Sequence, residues 1–306
     1  MKNISIENIP EEFENMYNNL SKNSNIQMLE AKKKKAQGSL IVLIITFIIT
    51  MILMSKGNTM TFIACIILMA IIWYFGNNVM KFQKEYKKEI VPSVIKLVSE
   101  KLKYIPDNVE HFGMKEEYRR ANFDNEYYNR FYQDDYIEGF LDEENHIKMC
   151  DLHIQHHTSN GKHSHTYEVF QGLFLITECN KNIGTNIKIS RNKMKIFDAN
   201  NRVEMDSQEF EKYFDIYSEN KILAMQLLTS DIMSVLIEFY KKYNIEYEIV
   251  IRNNKIYMRF ATGSMFEANI LGNVLDKQVL FKYYSILILV EDITKKINEV
   301  LKEIEI

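Results

Sequence analysis

Proline, glycine and cysteine are all scarce in this chain of 306 residues: three, ten and three respectively. So few chain-breakers exclude a collagenous or low-complexity polymer, and they leave no Pro/Gly-rich linker to separate independent domains. Cys65, Cys150 and Cys179 follow no metal or redox spacing, so they read as reduced thiols. Positive charge is not in excess either. The formal net charge of −3 lacks the electrostatic footprint of nucleic-acid binding. The phosphate loop G-x-x-x-x-G-K-[ST] is missing, as are H-E-x-x-H, G-x-S-x-G and G-x-G-x-x-G, so no common enzyme class announces itself.

Asp, Glu, Lys, Arg and His are also missing from two whole stretches, Gly38–Met54 and Met60–Gly76, separated by Ser55-Lys56-Gly57-Asn58-Thr59. Each holds about 17 residues, or roughly 25 Å of helix, a minimal crossing of the ~30 Å hydrocarbon core. Buried core helices would keep a polar stripe, and neither run has one. Trp73-Tyr74-Phe75 closes the second run with rings that favour the headgroup boundary. The pair therefore reads as a transmembrane hairpin. A cleaved secretory signal is not expected, because the first run starts late and the second follows at once. The ends carry no lipidation motif.

Lysine sets the orientation. Lys32-Lys33-Lys34-Lys35 precedes the first run and Lys81, Lys84, Lys87 and Lys88 follow the second, while the connection carries only Lys56. Positive flanks stay on the cytoplasmic side, and exporting one charge against the potential costs ~2.3 kcal/mol per 100 mV. The expectation is a multi-pass cell-membrane protein with two spans and both termini cytoplasmic. Its segments are a cytoplasmic helical stretch (1–37), the hairpin (38–76) and a cytoplasmic α+β domain (77–306).

Within residues 1–37, Pro10-Glu11-Glu12 opens a helix with Phe13, Met16, Tyr17 and Leu20 on one face. After the hairpin a helical stripe runs to Ile90, and Pro92 kinks or restarts it. Lys115–Tyr132 reads as a polar, aromatic-rich helix or loop. Tyr136–Leu141, Ile147–His157 and Thr166–Thr177 read as strands, with Asn186–Ile189 and Lys193–Phe197 extending the meander. Ser207 caps a short helix, Gln208–Phe214, and Asp215–Ser218 is extended. Helices over Lys221–Leu228 and Ser230–Tyr243 precede a hairpin, Glu246–Arg252 with Lys255–Ala261. A long amphipathic helix from Lys277 closes the chain, its apolar period too short at Tyr283–Val290 to span a bilayer. The fold class is α+β: antiparallel strands packed with helices, behind a two-helix hairpin.

Several of these pieces, in this order, resemble a bacterial membrane-protein family of unknown function, DUF3137. They are Asp135-Tyr136-Ile137-Glu138-Gly139, Val169-Phe170-Gln171-Gly172-Leu173-Phe174, Phe210-Glu211-Lys212-Tyr213-Phe214 with Ile216-Tyr217-Ser218, and Leu227-Leu228-Thr229. The resemblance spans about Lys81–Glu291 and departs at Leu223, Met225, Gln226 and Ser230. It implies the class of protein and no catalytic residue.

Six of the seven histidines fall between His146 and His165. Asn160-Gly161 supplies a type I′ turn, which pairs Ser159 with Lys162 and makes facing positions sum to 321. His156 then faces His165, with His163 beside it, and three imidazoles on one ladder face could bind zinc. Solvated histidines at an exposed tip are the plainer reading, and a register slip would redistribute them. Adjacent acids such as Asp134-Asp135 and Asp142-Glu143-Glu144 read as solubilising.

The sequence thus points to a non-enzymatic binding or assembly module held at the lipid bilayer, with no cofactor. A protein partner or a second copy would meet it through its helical surfaces. The alternatives are a metal-dependent enzyme or a pH or metal sensor built on His156, His163 and His165, and, third, an oligomeric pore or transporter subunit. The runs hold no intramembrane charge for transport.

Overall fold

The computed structural model describes residues 9–55, 59–107, 109–123, 127–161, 163–191 and 201–304. They form two compact units. One is built from Pro10–Val94 and Phe266–Phe281, the other from Ile95–Met265 and Lys282–Ile306.

The first unit is helical. Pro10 leads into α1 (Glu11–Lys22), and Asn23 then breaks the chain direction. Its extended backbone lets its side chain accept the Asn25 N–H at 2.9 Å, so it caps α2 (Ser24–Met54). The single helix expected over residues 1–37 is therefore two, and its first eight residues lie outside the described ones. α2 and α3 (Thr59–Glu89) each carry 31 residues, about 46 Å of helix, and so run well beyond the apolar windows. The restart expected at Pro92 occurs. α3 ends at Glu89 and α4 (Val91–Val98) begins with the proline in its first turn, where a missing N–H costs nothing.

Polar side chains next to the apolar windows hold the Phe266–Phe281 segment. Gln83 clamps Ala268 from both sides, accepting its N–H at 2.8 Å and donating to its carbonyl at 3.1 Å. Gln37 donates to the Ile270 carbonyl at 2.8 Å, and buried Lys87 pairs with Glu267 at 2.8 Å. The apolar face of α1 meets the same segment: Phe13 packs edge-on against Phe281, and Tyr17 donates to the Leu275 carbonyl.

The second unit is a nine-stranded, wholly antiparallel sheet. Its strands are β1 (Lys103–Ile105), β2 (Arg130–Phe140), β3 (His146–Ser159), β4 (Ser164–Glu178), β5 (Asn186–Arg191), β6 (Arg202–Val203), β7 (Phe214–Ser218), β8 (Tyr247–Arg252) and β9 (Lys255–Phe260). Their order is β1-β2-β3-β4-β9-β8-β5-β7-β6. Facing residues share a side of a sheet, and here one apolar row crosses eight strands: Ile137, Met149, Leu175, Met258, Ile249, Ile189, Ile216 and Val203. All eight are at most 1% exposed. Burying a row of this kind contributes roughly 1.5–3 kcal/mol per side chain before chain entropy is subtracted.

Helices cover that side. After α6 (Gln208–Glu211), capped by Ser207 as expected though ending before Phe214, come α7 (Lys221–Leu227) and α8 (Ser230–Tyr243). On α8, Phe239 meets Tyr247 and Phe260 edge-on, and Tyr247 donates to the Leu236 carbonyl at 2.6 Å. α7 and α8 are apolar enough together for a broken span, but they bend by 72° and bury Leu223, Leu227, Leu236 and Phe239 in this core. α9 (Lys277–Glu303) runs beside α8, where Tyr243 donates to Ser285 at 2.6 Å, and buries Ile286, Leu287, Val290, Ile293, Ile297 and Leu301. The opposite side carries the short helix α5 (Met114–Ala121).

Candidate functional site

The helical unit wears its apolar side chains outward. Ile41, Ile44, Phe47, Ile48, Met51, Ile66, Ile67 and Met69 are each 52–62% exposed, and Trp73 is 74% exposed. Only 17% and 11% of the residues in the most apolar windows of the two helices are buried. Water-facing surfaces seldom expose an apolar patch beyond a few hundred Å². Both helices are long and apolar enough to cross a membrane. Among the described residues, Thr46 and Thr50 donate to carbonyls one turn back, and Asn78 reaches Ser39 at 3.1 Å.

Among the flanking lysines, Lys32 pairs with Glu85, Lys33 with Glu30 at 3.3 Å, and Lys87 with Glu267. Part of the positive flank is thus neutralised locally. The topology rule counts Lys and Arg rather than net charge, so its direction is unaffected.

The histidine hairpin has a different register from the one expected. Facing positions sum to 323, because Asn160 and His163 close the turn. Gly161 takes the positive φ of 82°, and Asn160 instead uses its side chain to accept the His163 N–H at 2.8 Å. A shift of two keeps each residue on its face. His156 therefore still shares a side with His165, but faces Tyr167, while His165 faces Thr158 and His163 leaves the ladder. His156 Nδ1 lies 3.0 Å from the Tyr127 carbonyl, and the His165 ring stacks toward Tyr167. On the other side His157 meets Thr166 at 2.9 Å and His153 meets Glu168 at 3.4 Å. His156, His163 and His165 are not among the ligand groups that converge within 4.8 Å in the described residues.

A polar constellation that the sequence did not disclose surrounds α5. Four cations from three strands converge on it. Lys255 pairs with both Glu117 oxygens at 3.0 and 3.1 Å, and Tyr257 donates to the same carboxylate at 3.2 Å. Arg252 donates to the Arg120 carbonyl at 2.9 Å, Lys188 to the Phe123 carbonyl, and Arg259 to the Tyr118 hydroxyl at 2.7 Å. Burial pushes the Glu117 carboxyl up, but Lys255 and Arg120 outweigh it and hold the group below its ordinary value. Positive charge at the end of a helix complements its dipole, so these groups explain how eight mostly polar residues stay docked. Beneath them lies an apolar cluster including Met114, Tyr118, Phe123, Tyr136, Cys150 and Phe174.

Beside the end of α5 is a polar cavity of about 300 Å³, lined by Asn122, Asn186, Lys188, Asn201, Tyr217, Glu219 and Arg252 among others. Arg252 is fixed there by Asn186 at 2.7 Å. Volume and lining suit a small polar molecule, but the cations already serve the helix. Burial pushes both thiols of this unit up, Cys179 to about 12, so neither supplies a thiolate near neutral pH.

Two glycines of the family-like motifs have a steric role. A Cβ on Gly172 would lie 2.0 Å from the Phe260 carbonyl oxygen, and one on Gly139 2.2 Å from that of Lys101. Only glycine lets those backbones approach. Residues 168–299 match the model of a family described as a protein of unknown function, DUF3137, and that match supports membership of the family. No curated protein matches it. Among solved structures it is similar to the mycobacterial trehalose monomycolate transport factor A, TtfA, at 7% identity and a TM-score of 0.39, over 73% of this chain and 94% of that one. That likeness is too slight to transfer fold or activity.

Proposed function

We propose that this chain is a two-span integral protein of a cell membrane, both termini cytoplasmic, whose sheet unit serves binding or assembly rather than catalysis. The apolar sleeve on α2 and α3 carries the reading: side chains more than half exposed to solvent over two helical lengths find their solvent in lipid tails. The lysine flanks support the orientation. The polar groups of the sheet unit support a structural role, because the cations around α5 are engaged in docking it.

Alkaline carbonate extraction of membranes tests the anchor. The full chain stays in the pellet if α2 and α3 span the bilayer, and recovery in the supernatant would overturn the reading. In-cell crosslinking from the sheet unit then tests assembly, with discrete adducts expected and none if the unit works alone.

A further inference from the structure

The hairpin β3–β4 reaches past the rest of the sheet, and one of its edges is unpaired among the described residues. β4 pairs with β9 only over Leu173–Glu178, so its first half borders β3 alone among the described residues. Which backbone groups face outward follows from the other side of β3. Asn129 takes the Gln155 carbonyl at 3.1 Å and bridges the His157 backbone at 2.6 and 2.8 Å, so Gln155 and His157 point toward β2. Alternation then turns His156 and Thr158 toward β4, where they face Tyr167 and His165. The Asn160 N–H bonded to the His163 carbonyl at 3.1 Å fixes the same phase from the turn. Ser164 and Thr166 therefore direct their backbone N–H and C=O away from the hairpin.

Sheet edges in monomers are ordinarily blunted by lysine, proline or an early bulge. Here Ser164-His165-Thr166-Tyr167-Glu168 holds neither lysine nor proline, all five residues are exposed, and the register breaks only after Gln155–Glu168. The run is also self-complementary. An antiparallel copy centred on Thr166 faces Thr166 with Thr166, His165 with Tyr167 and Ser164 with Glu168, and sets no two like charges opposite each other.

We propose that this edge is a homotypic docking surface, on which two copies of the chain pair their β4 strands antiparallel about Thr166. It deepens the assembly reading above by naming the partner as a second copy and the surface as a strand edge. Five residues a side is less than a stable dimer needs, so the pairing is weak and rises with concentration.

The test uses the full chain in detergent. Facing backbone-bonded residues sit about 5.5 Å apart, within disulfide reach. Thr166→Cys should therefore give a disulfide dimer under mild oxidation, and Ser164→Cys, four residues from its own copy's equivalent, should not. Thr166→Pro removes an outward N–H, together with the exposed hydroxyl contact to His157, and should abolish concentration-dependent dimers in sedimentation while leaving the melting temperature within a few degrees. Equal crosslinking of Ser164→Cys and Thr166→Cys, or no crosslinking of either, overturns the proposal. So does unchanged dimerisation of Thr166→Pro. Carbonate extraction of the same variants still reads the anchor, so the two failures are distinguishable.

Discussion

Arg259 and Glu248 face each other across β8 and β9 with their charges almost out of water, joined at 2.6 and 2.9 Å. The guanidinium lies 4.8 Å over the Phe123 ring and also reaches the Tyr118 hydroxyl. A pair this dry is costly to break from one side, because the remaining charge is stranded.

Arg259→Ala should therefore lower stability by about 3–5 kcal/mol, while the double variant with Glu248→Ala should lose less than the sum of the single changes. Denaturant unfolding of the detergent-solubilised chain measures both. An additive double variant would show that the two groups do not depend on each other.

The docking of α5 should depend on pH. Glu117 is held below its ordinary value when folded, so its contribution is present above the unfolded pKa, near ~4.3, and is lost as pH falls through the folded value. Glu117→Gln lacks that contribution at every pH. The gap in melting temperature between wild type and Glu117→Gln should thus be widest near neutrality and close in acid. A gap that widens in acid would contradict the assignment.

Gly172→Ala should cost about 3 kcal/mol or more, because its Cβ would meet fixed backbone at 2.0 Å. Gly184→Ala has open space around it and a φ of 61°, and should cost only about 1 kcal/mol. Melting curves that rank the pair the other way would remove the close-approach explanation.

Much of this was legible in the sequence because it is periodic. The apolar runs show by uninterrupted length, and the α8 range Ser230–Tyr243 and the α9 start at Lys277 follow a 3.6 pattern. β1 and β6 have three and two residues, too few for any period. β2 begins at Arg130 rather than Tyr136 because a register shift between Asp134 and Ile137, with Asp135 at φ 56°, breaks its alternation. The strand expected over Lys193–Phe197 lies outside the described residues. The cation cluster was invisible for another reason: Arg252, Lys255 and Arg259 share the β8–β9 hairpin, but Lys188 joins them only when β5 pairs with β8, a long-range choice that no local pattern encodes.

The histidine reading turned on the turn. With Asn160 and His163 closing the turn, His163 sits outside the ladder that holds His156 and His165. Two imidazoles make a weak zinc site, so less than one equivalent of zinc should survive dialysis of the purified chain. Stoichiometric zinc that disappears in His156→Ala would restore the metal-dependent alternative.

The most direct test of the whole account is the side on which the turn between α2 and α3 emerges. Ser55→Cys in intact cells should react with a membrane-impermeant maleimide added outside, while a cysteine placed at the exposed Glu303 should react only after lysis. Labelling of Ser55→Cys only after lysis, or of both positions in intact cells, would contradict a two-span anchor with its sheet unit in the cytoplasm.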